Sequence, residues 1–384
     1  MHLTLHLTGS CNFRCRYCYS GAHTGGDMSL ETAKAAIALA LQDQHRQQAP
    51  GGSLGVIFFG GEPLLRRELI VQIMAHTREL AAGKGQHFHY KITTNGSLLN
   101  EAFLTSAETR DIFVAMSLDG VQPAHDAHRL NPASTGTFAQ LKPKAALLLR
   151  HKPYAPVMAV VNPDTVRHYA ESVRFLFECG FRYLIFSLNY AAPWNERDMA
   201  QLQAQYEKIA GWYEAETLKE SKFYFSPFEV KIGSHVRPGS CAKERCELGQ
   251  KQISIAPDGG IYPCVQFVGD PAYCIGDVRN GIDEALRQKI FEESNREEKT
   301  CIGCAIRNRC NHFCGCLNRQ STGDINRVSP VLCAHERMLM PIADRLGERL
   351  FKNRSALFVQ KHYNDYFPLL SLAEDSATGQ KQRR

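Results

Sequence analysis

No apolar run in the chain approaches the roughly 18–20 residues that span a bilayer, and its first residues lack the basic, apolar and cleavage regions of a signal peptide. No charge of one sign dominates either. Its 45 Lys and Arg face 39 Asp and Glu, a net +6 spread along the chain, and the longest basic cluster is the closing Lys-Gln-Arg-Arg. These absences argue against a membrane protein and a nucleic-acid binder, and they place the chain in the cytoplasm. No repeat with a period of 20–50 residues is visible. With 44% apolar and 22% charged residues, the composition is that of a globular protein, which excludes disorder, collagen and a coiled-coil rod. At roughly 100–200 residues per domain, 384 residues suggest two compact units.

What the chain does have is cysteine, 14 of them. The cytosol keeps thiols reduced, so grouped cysteines there indicate metal or catalytic sites rather than a disulfide framework. Cys11, Cys15 and Cys18 form one group, Cys179 stands alone, and the other ten lie between Cys241 and Cys333. Two metal-bearing regions follow from that distribution.

Between the groups, short apolar stretches alternate with amphipathic ones. Strands are expected at Leu3–Leu7, Leu54–Phe59, Phe88–Thr93, Ile112–Ser117, Val157–Val161 and Tyr183–Leu188. Helices are expected at Ser29–Gln48, Leu64–Leu80, Leu99–Thr109 and Val166–Cys179, the last stopped by Gly180. Such alternation predicts about six strand–helix units on a parallel sheet, an α/β architecture. A helix carrying Met199, Leu202, Tyr206, Ile209 and Tyr213 follows, and the aromatic stretch Phe223–Gly239 reads as a bridge. Beyond Pro341 a further helix is expected, and Glu374–Arg384 reads as a disordered tail.

Cys11-Asn-Phe-Arg-Cys15-Arg-Tyr17-Cys18 sets three thiolates on a loop just after the first strand. Three thiolates leave one iron of a cubane open, whereas an electron-transfer cluster is usually closed by four cysteines. This C-x3-C-x2-C spacing, with Tyr17 before the last cysteine, resembles the radical S-adenosylmethionine (SAM) superfamily. The resemblance implies that SAM's amino and carboxylate groups take the open iron. It also implies that an electron from the cluster cleaves SAM to methionine and a 5′-deoxyadenosyl radical that abstracts hydrogen from substrate. Gly60-Gly61-Glu62-Pro63, after the second strand, matches the family's SAM amino-group motif. Asn95 and Ser117-Leu118-Asp119-Gly120 end the third and fourth strands, with His125-Asp126 and Arg129 beyond. By the same resemblance Ser117 and Arg129 hold SAM's polar groups, and Asn95 and Asp119 face SAM or substrate. The implied fold is a partial (β/α)6 TIM-like barrel over residues 1–195, its chemistry at the C-terminal strand ends.

Cys246-x12-Gly259-x4-Cys264, then Cys301-x2-Cys304-x5-Cys310-x3-Cys314, then Cys333 is a long and specific pattern. It resembles the SPASM domain, a small cysteine-rich iron–sulfur extension found in a radical SAM subgroup. The implied organisation is a helical and aromatic bridge over 196–240, the SPASM domain over 241–340, and a C-terminal helix with its tail over 341–384. Adding Cys241 as an eighth ligand allows two cubanes closed by four thiolates each. Family topology then assigns Cys241, Cys246, Cys264 and Cys314 to an inner cluster and Cys301, Cys304, Cys310 and Cys333 to an outer one. With the SAM-binding cluster this makes three [4Fe-4S] clusters. Cys316 can substitute as an inner ligand, Cys179 reads as a buried apolar thiol, and Cys274 is unassigned.

Auxiliary clusters suit a substrate radical that must lose an electron, so the implied net reaction is an oxidation. Similar enzymes mature peptides and proteins, either oxidising Ser or Cys to formylglycine in sulfatases or cross-linking ribosomally made peptides. Sulfatase maturases commonly carry Asp directly after the cysteine matching Cys264, where this chain has Val265. The expected function is therefore an oxidative peptide maturase installing a side-chain cross-link. Sulfatase maturation and small-molecule dehydrogenation are the alternatives. Expected partners are a peptide or protein substrate and a flavodoxin- or ferredoxin-type electron donor. Because the first strand begins almost at Met1, a separate leader-recognition protein is expected as well. His2, Thr4 and His6 share one strand face, so His6 reads either as a base near the radical or as a structural histidine. Phe223, Tyr224, Phe225 and Phe228 line either a peptide groove or an interdomain core. From a different class comes a zinc-stabilised binding module, colourless where iron–sulfur protein is brown. If the two regions divide their work as the resemblance implies, Cys15→Ala abolishes release of 5′-deoxyadenosine from SAM. Cys310→Ala then spares part of it while losing product, and equal loss in soluble forms of both variants contradicts the division.

Overall fold

Along each of the first six strands one set of alternate residues is apolar and the next segment is amphipathic, so every crossover returns the chain in the same direction. The structure is a computed structural model that describes residues 1–20, 26–46, 53–82, 86–237 and 246–379. Strands β1 (His2–His6), β2 (Ser53–Phe59), β3 (His87–Thr94), β4 (Phe113–Ser117), β5 (Pro156–Val161) and β6 (Tyr183–Leu188) form this half. Helices α1 (Leu30–Arg46), α2 (Arg67–Ala81), α3 (Glu101–Thr105), α4 (Gln122–Asp126), α5 (Phe138–His151) and α6 (Tyr169–Glu178) lie between and after them. Then come α7 (Glu196–Leu218), β7 (Tyr224–Phe225) and α8 (Ser226–Val236). In the cysteine-rich half β8 (Gln252–Ile255) and β9 (Ile261–Tyr262) precede the small pair β10 (Gly276–Asp277) and β11 (Gly281–Ile282). Helices α9 (Glu284–Asn295), α10 (Gly315–Thr322), α11 (Pro330–Lys352), α12 (Ala356–Tyr363) and α13 (Phe367–Gly379) complete the fold.

The main sheet runs β7-β6-β5-β4-β3-β2-β1-β8-β9. Every neighbour pair from β7 to β8 is parallel, and only β9 is antiparallel, to β8. This is a mixed sheet whose edges, β7 and β9, do not pair with each other. One face is sealed: Leu3, Leu5, Val56, Phe58, Ile92, Val114, Met116 and Leu184 belong to the buried core. The other face is open, with Ile57, Phe59, Thr93, Ser117, Val160 and Ile185 half-buried and Lys91 and Ser187 exposed. Because the strands are parallel, all their C-terminal ends reach the same end of the sheet, and the connecting loops there stand side by side.

Several expectations change once the chain is folded. The two halves share one sheet: His2 to Leu5 of β1 pair with Gln252 to Ile255 of β8, so the first hairpin of the cysteine-rich half extends it. The aromatic stretch after Phe223 forms β7 and α8, and of the two roles open to its aromatics Phe223, Phe225 and Phe228 take the core one. Helix α11 starts at Pro330, capped by Ser329, and continues through Pro341. The missing N–H of Pro341 costs one helical bond, offset by burial of Leu339, Ile342, Ala343, Leu346 and Leu350 along α7 and α8. The segment from Glu374 is helical to Gly379, and Lys222 pairs with both Glu374 and Asp375. Only Glu101–Thr105 of the expected 99–109 helix forms, capped by Asn100. No helix among the described residues is long and apolar enough to cross a membrane.

A buried ion pair joins the two halves. Arg287 of α9 donates to both carboxylate oxygens of Asp43 on α1, at 2.9 and 3.0 Å, and to the Gly249 carbonyl at 2.7 Å. Both side chains are almost fully enclosed, so removing Arg287 takes from the buried Asp43 carboxylate the cation it faces. Arg287→Met is expected to destabilise the anaerobically purified protein by about 3–5 kcal/mol. The double variant Asp43→Leu/Arg287→Met should recover most of the loss in the chemical-unfolding midpoint.

Candidate active site and cluster-binding cysteines

The loop that carries Cys11, Cys15 and Cys18 leaves the C-terminal end of β1. Its base is zipped by Met28 N–H to Leu7 O and Gly9 N–H to Gly26 O, and Thr8 Oγ1 donates to Asp27 at 2.6 Å. Across it lies the turn after β2, where Gly61 N–H and Glu62 N–H donate to Thr8 O and Ser10 O, both at 2.9 Å. A Cβ on Gly60 would fall 2.4 Å from Thr8 O, and one on Gly61 2.1 Å from Ser10 O. Both glycines are therefore needed for the turn to clasp the cysteine loop, and Gly60 also has φ +126. Pro63 opens the short 3₁₀ turn that follows.

Glu62 is fully buried, and its carboxylate is a strut. It accepts from Leu64 N–H (3.0 Å), Thr94 Oγ1 (2.7 Å) and Asn95 N–H (2.8 Å), fastening the end of β2 to the end of β3. Burial raises its pKa, and those three donors oppose the rise. Asn95 in turn donates to Asn12 Oδ1 at 2.8 Å and approaches Cys11 Sγ at 3.9 Å, so it braces the cysteine loop directly.

Asp119 is held just as fully. Its carboxylate accepts from Tyr17 Oη (2.5 Å), Arg129 Nε (3.0 Å) and Val160 N–H (3.0 Å). The Arg129 guanidinium lies 5.4 Å from the Tyr17 ring centroid and within electrostatic reach of Cys15. Backbone N–H groups of Arg14 and Arg16 donate to Leu130 O and His128 O, pinning the loop to the Arg129 segment. His125 supports this turn: its Nδ1 accepts from Asp119 N–H at 3.3 Å and its Nε2 faces Thr137 Oγ1 at 2.9 Å. Ser117, half-buried, ends β4 on the open face.

His6 differs from all of these. It sits on the open face at the top of β1, its ring 5.3 Å from Phe59, and its buried Nε2 has no hydrogen-bond partner. Burial lowers its pKa to about 4, so the imidazole is neutral near pH 7.

The second group of cysteines divides into two sets in space. Buried Cys316 and Cys264 meet, Sγ to Sγ at 3.2 Å, and half-buried Cys246 and Cys314 lie within electrostatic reach of Cys264. Cys301, Cys304, Cys310 and Cys333 form the other set around Arg337, which donates to Cys333 Sγ and Cys304 Sγ at 3.4 Å each. Cys241 lies outside the described residues. Cys274 donates to Gly276 O, and Cys179 packs against the core. Burial pushes Cys11 up to about 11, and Cys246 and Cys310 up to about 12. Thiols so placed are neutral until a metal takes the proton's place, which is the chemistry of a cluster-binding donor set. Among the described residues, no three His, Cys, Asp or Glu side chains close around a single-ion position.

Two family models match the chain: the radical SAM superfamily over residues 5–176 and the SPASM iron–sulfur cluster-binding domain over residues 246–311. It is a radical SAM enzyme with a C-terminal SPASM domain. The cysteine-type anaerobic sulfatase-maturating enzyme of Clostridium novyi (strain NT) is 24% identical over 342 residues, covering 80% of this chain and 85% of that one. Among solved structures, native anSMEcpe with bound AdoMet aligns with a TM-score of 0.76 at 19% identity, covering 91% of this chain and 98% of the other. Streptococcus suis SuiB bound to S-adenosylmethionine aligns with a TM-score of 0.59 at 16% identity, over 86% of this chain and 76% of that one.

In this radical SAM enzyme the cysteine loop, Gly60 to Pro63, Asn95, Asp119, Arg129 and Tyr17 form one connected assembly at the strand ends. The Glu62 and Asp119 carboxylates, expected near the ligand, each accept from three protein donors and so also brace the loop. Sequence spacing had no signal for Tyr19, whose phenol lies within electrostatic reach of Cys18, Cys264 and Cys316 and so marks the seam between the first cysteine loop and the SPASM cysteines. Nor did it single out Arg337, four residues after Cys333 on α11. An N–H···S bond and a nearby cation both favour the reduced, more negative state of a cluster. If Cys301, Cys304, Cys310 and Cys333 hold an auxiliary cluster, as the SPASM resemblance implies, Arg337→Ala is expected to lower its midpoint potential by on the order of 60 mV for a tenfold one-electron effect. A redox titration followed by electron paramagnetic resonance (EPR) reads the shift, and an unchanged potential excludes this role.

Proposed function

We propose that the chain is an oxidative maturase acting on a side chain of a peptide or protein. The supporting observation is that its likeness to sulfatase-maturating enzymes runs through both halves, 80% of the chain in the Clostridium novyi relative and 92% in the serine-type enzyme of Bacteroides thetaiotaomicron. Formylglycine formation at Ser or Cys is accordingly the better supported reaction. Cross-linking is the second reading, favoured by Val265, which puts an apolar side chain where sulfatase maturases commonly carry a base.

On this proposal residues 1–195 form a (β/α)6 partial barrel, 196–240 a bridge, 241–340 the SPASM domain and 341–384 the C-terminal helices. Three [4Fe-4S] clusters and SAM are the cofactors, and a flavodoxin- or ferredoxin-type protein is the electron donor. When bound, SAM and the first cluster supply the radical that takes a hydrogen atom from the substrate. Cys11, Cys15 and Cys18 hold that cluster, while Glu62 and Asn95 keep their loop against β2 and β3. Tyr17, Arg129 and Asp119 set the position of Cys15 and balance buried charge beside it. Gly60, Gly61, Pro63 and Ser117 shape the rim where SAM is held. His6, neutral and with a free Nε2 on the open face, is the side chain available to accept the substrate's proton. Asp119, with all its donors in place, acts on position rather than as the base.

The test is anaerobic incubation of reconstituted enzyme, SAM and reductant with two substrates: a sulfatase-derived peptide bearing Ser or Cys, and the short peptide encoded beside the gene. An aldehyde captured by a hydrazide probe on the sulfatase peptide is the expected result. A product lighter by two hydrogens in the gene-neighbour peptide, without an aldehyde and with fragmentation suppressed between two residues, selects cross-linking. Release of 5′-deoxyadenosine with both peptides unchanged overturns the peptide reading in favour of a small molecule.

A further inference from the structure

Strand β3 outruns β4 at the end of the sheet opposite the Cys11–Cys18 loop. It pairs with β2 from Ser53↔His87 to Phe58↔Ile92, but with β4 only from Lys91↔Phe113 to Thr94↔Met116. Before Phe113 the chain turns away, Ile112 N–H donating to Thr109 O at 3.0 Å. On that side the main-chain groups of His87 to Tyr90 therefore meet no strand, and Gln86 Nε2, donating to His87 O at 3.1 Å, is a side-chain stand-in for one. A cleft of about 590 Å³ lies along this edge, bounded by Phe88, His89 and Tyr90 of β3, Ala81 of α2, and Asp111 and Phe113 at the start of β4. Arg78 fixes its wall, Nη2 donating to Glu108 O at 2.8 Å. The floor is apolar, with Phe113 45% exposed. The rim is basic: His87, His89 and Lys91 are exposed on the open face, and the Asp111 carboxylate faces Arg78 at 3.5 Å.

An unpaired strand edge beside a cleft takes an extended peptide as an added strand, main-chain bonds giving affinity and alternate side chains giving specificity. Building on the peptide reading above, we propose that the lower edge of β3 docks an extended, acidic segment of the substrate peptide in this way. Side chains on one face of the added strand meet Phe88 and Ala81, and those on the other meet His87, His89 and Lys91, where carboxylates complement the basic rim. Strand β3 climbs about 23 Å from His87 to Thr94, at roughly 3.3 Å per residue, so about seven extended residues separate the docked segment from the side chain that reacts at the strand ends.

The test uses the full chain, anaerobically reconstituted, with a fluorescein-labelled probe peptide, Val-Glu-Val-Glu-Val-Glu. Anisotropy reads binding, and hydrogen-exchange mass spectrometry reads its place. The probe is expected to bind, more tightly at low salt, and to slow exchange in the His87–Tyr90 stretch. Two further probes carry backbone N-methyl groups on every Val or on every Glu. Since alternate N–H groups of an added strand face β3, one of these should lose binding and the other keep it. Lys91→Glu is expected to weaken the acidic probe by about fivefold and to favour Val-Lys-Val-Lys-Val-Lys in its place. Equal binding of both methylated probes, protection elsewhere in the chain, or no binding overturns the proposal. So does a dimer in light scattering whose formation protects the same stretch, which assigns the edge to a second copy of the chain. Docking of the probe with neither the sulfatase-derived nor the gene-neighbour peptide modified would instead overturn the substrate reading on which the proposal rests.

Discussion

Strand β1 is the constraint on which the rest of the molecule depends. It pairs on one edge with β2 and on the other with β8, so a five-residue strand joins the half that carries the first cysteine loop to the half that carries the other cysteines. Its C-terminal end launches the Cys11–Cys18 loop, and the glycine turn after β2 clasps that loop through Thr8 O and Ser10 O. Any slip in register would turn Leu3 and Leu5 outward and His6 inward, and would carry the cysteines away from the Asn95 and Arg129 braces. The Arg287–Asp43 pair and the packing of α11 on α7 and α8 then lock the second half in the place that β8 defines.

A second theme is how buried charge is managed around sulfur. Arg129 meets Asp119 beneath Cys15, and Lys231 meets Glu336 at 2.6 Å, both almost fully enclosed, near Cys310. His335 bridges Tyr190 and Tyr206 with its two ring nitrogens, at 2.9 and 2.8 Å, and burial lowers its pKa to about 3, so it stays neutral. Paired ions and neutral imidazoles leave little net charge buried near the cysteines. Arg337 is the exception at the rim, an exposed cation resting on two sulfurs of the outer set.

Much of this was legible in the sequence because it rests on local rules. The six strand positions follow from apolar alternation and match the observed strands within a residue or two. The glycine, asparagine and aspartate motifs sit at strand ends because parallel strands deliver all their C-terminal ends to one side. What was illegible depends on contacts distant in sequence. Nothing local tells that Gln252–Ile255 would pair with His2–Leu5, that a helix would run through Pro341 once α7 and α8 cover it, or that Glu62 and Asp119 would each meet three donors.

The sequence by itself determined the chemistry on offer: which cysteines come in groups, how they are spaced, and which loops of a strand–helix array carry them. Spacing constrains how close neighbouring thiols lie along the backbone, and that is enough to specify a cluster loop such as Cys11 to Cys18. Only the tertiary structure decided that Cys316 meets Cys264, which carboxylates brace the first cysteine loop, and that His6 keeps a ring nitrogen without a partner. Those arrangements depend on where separate segments meet. That is set by burial and by the pairing of β8 with β1, not by distance along the chain.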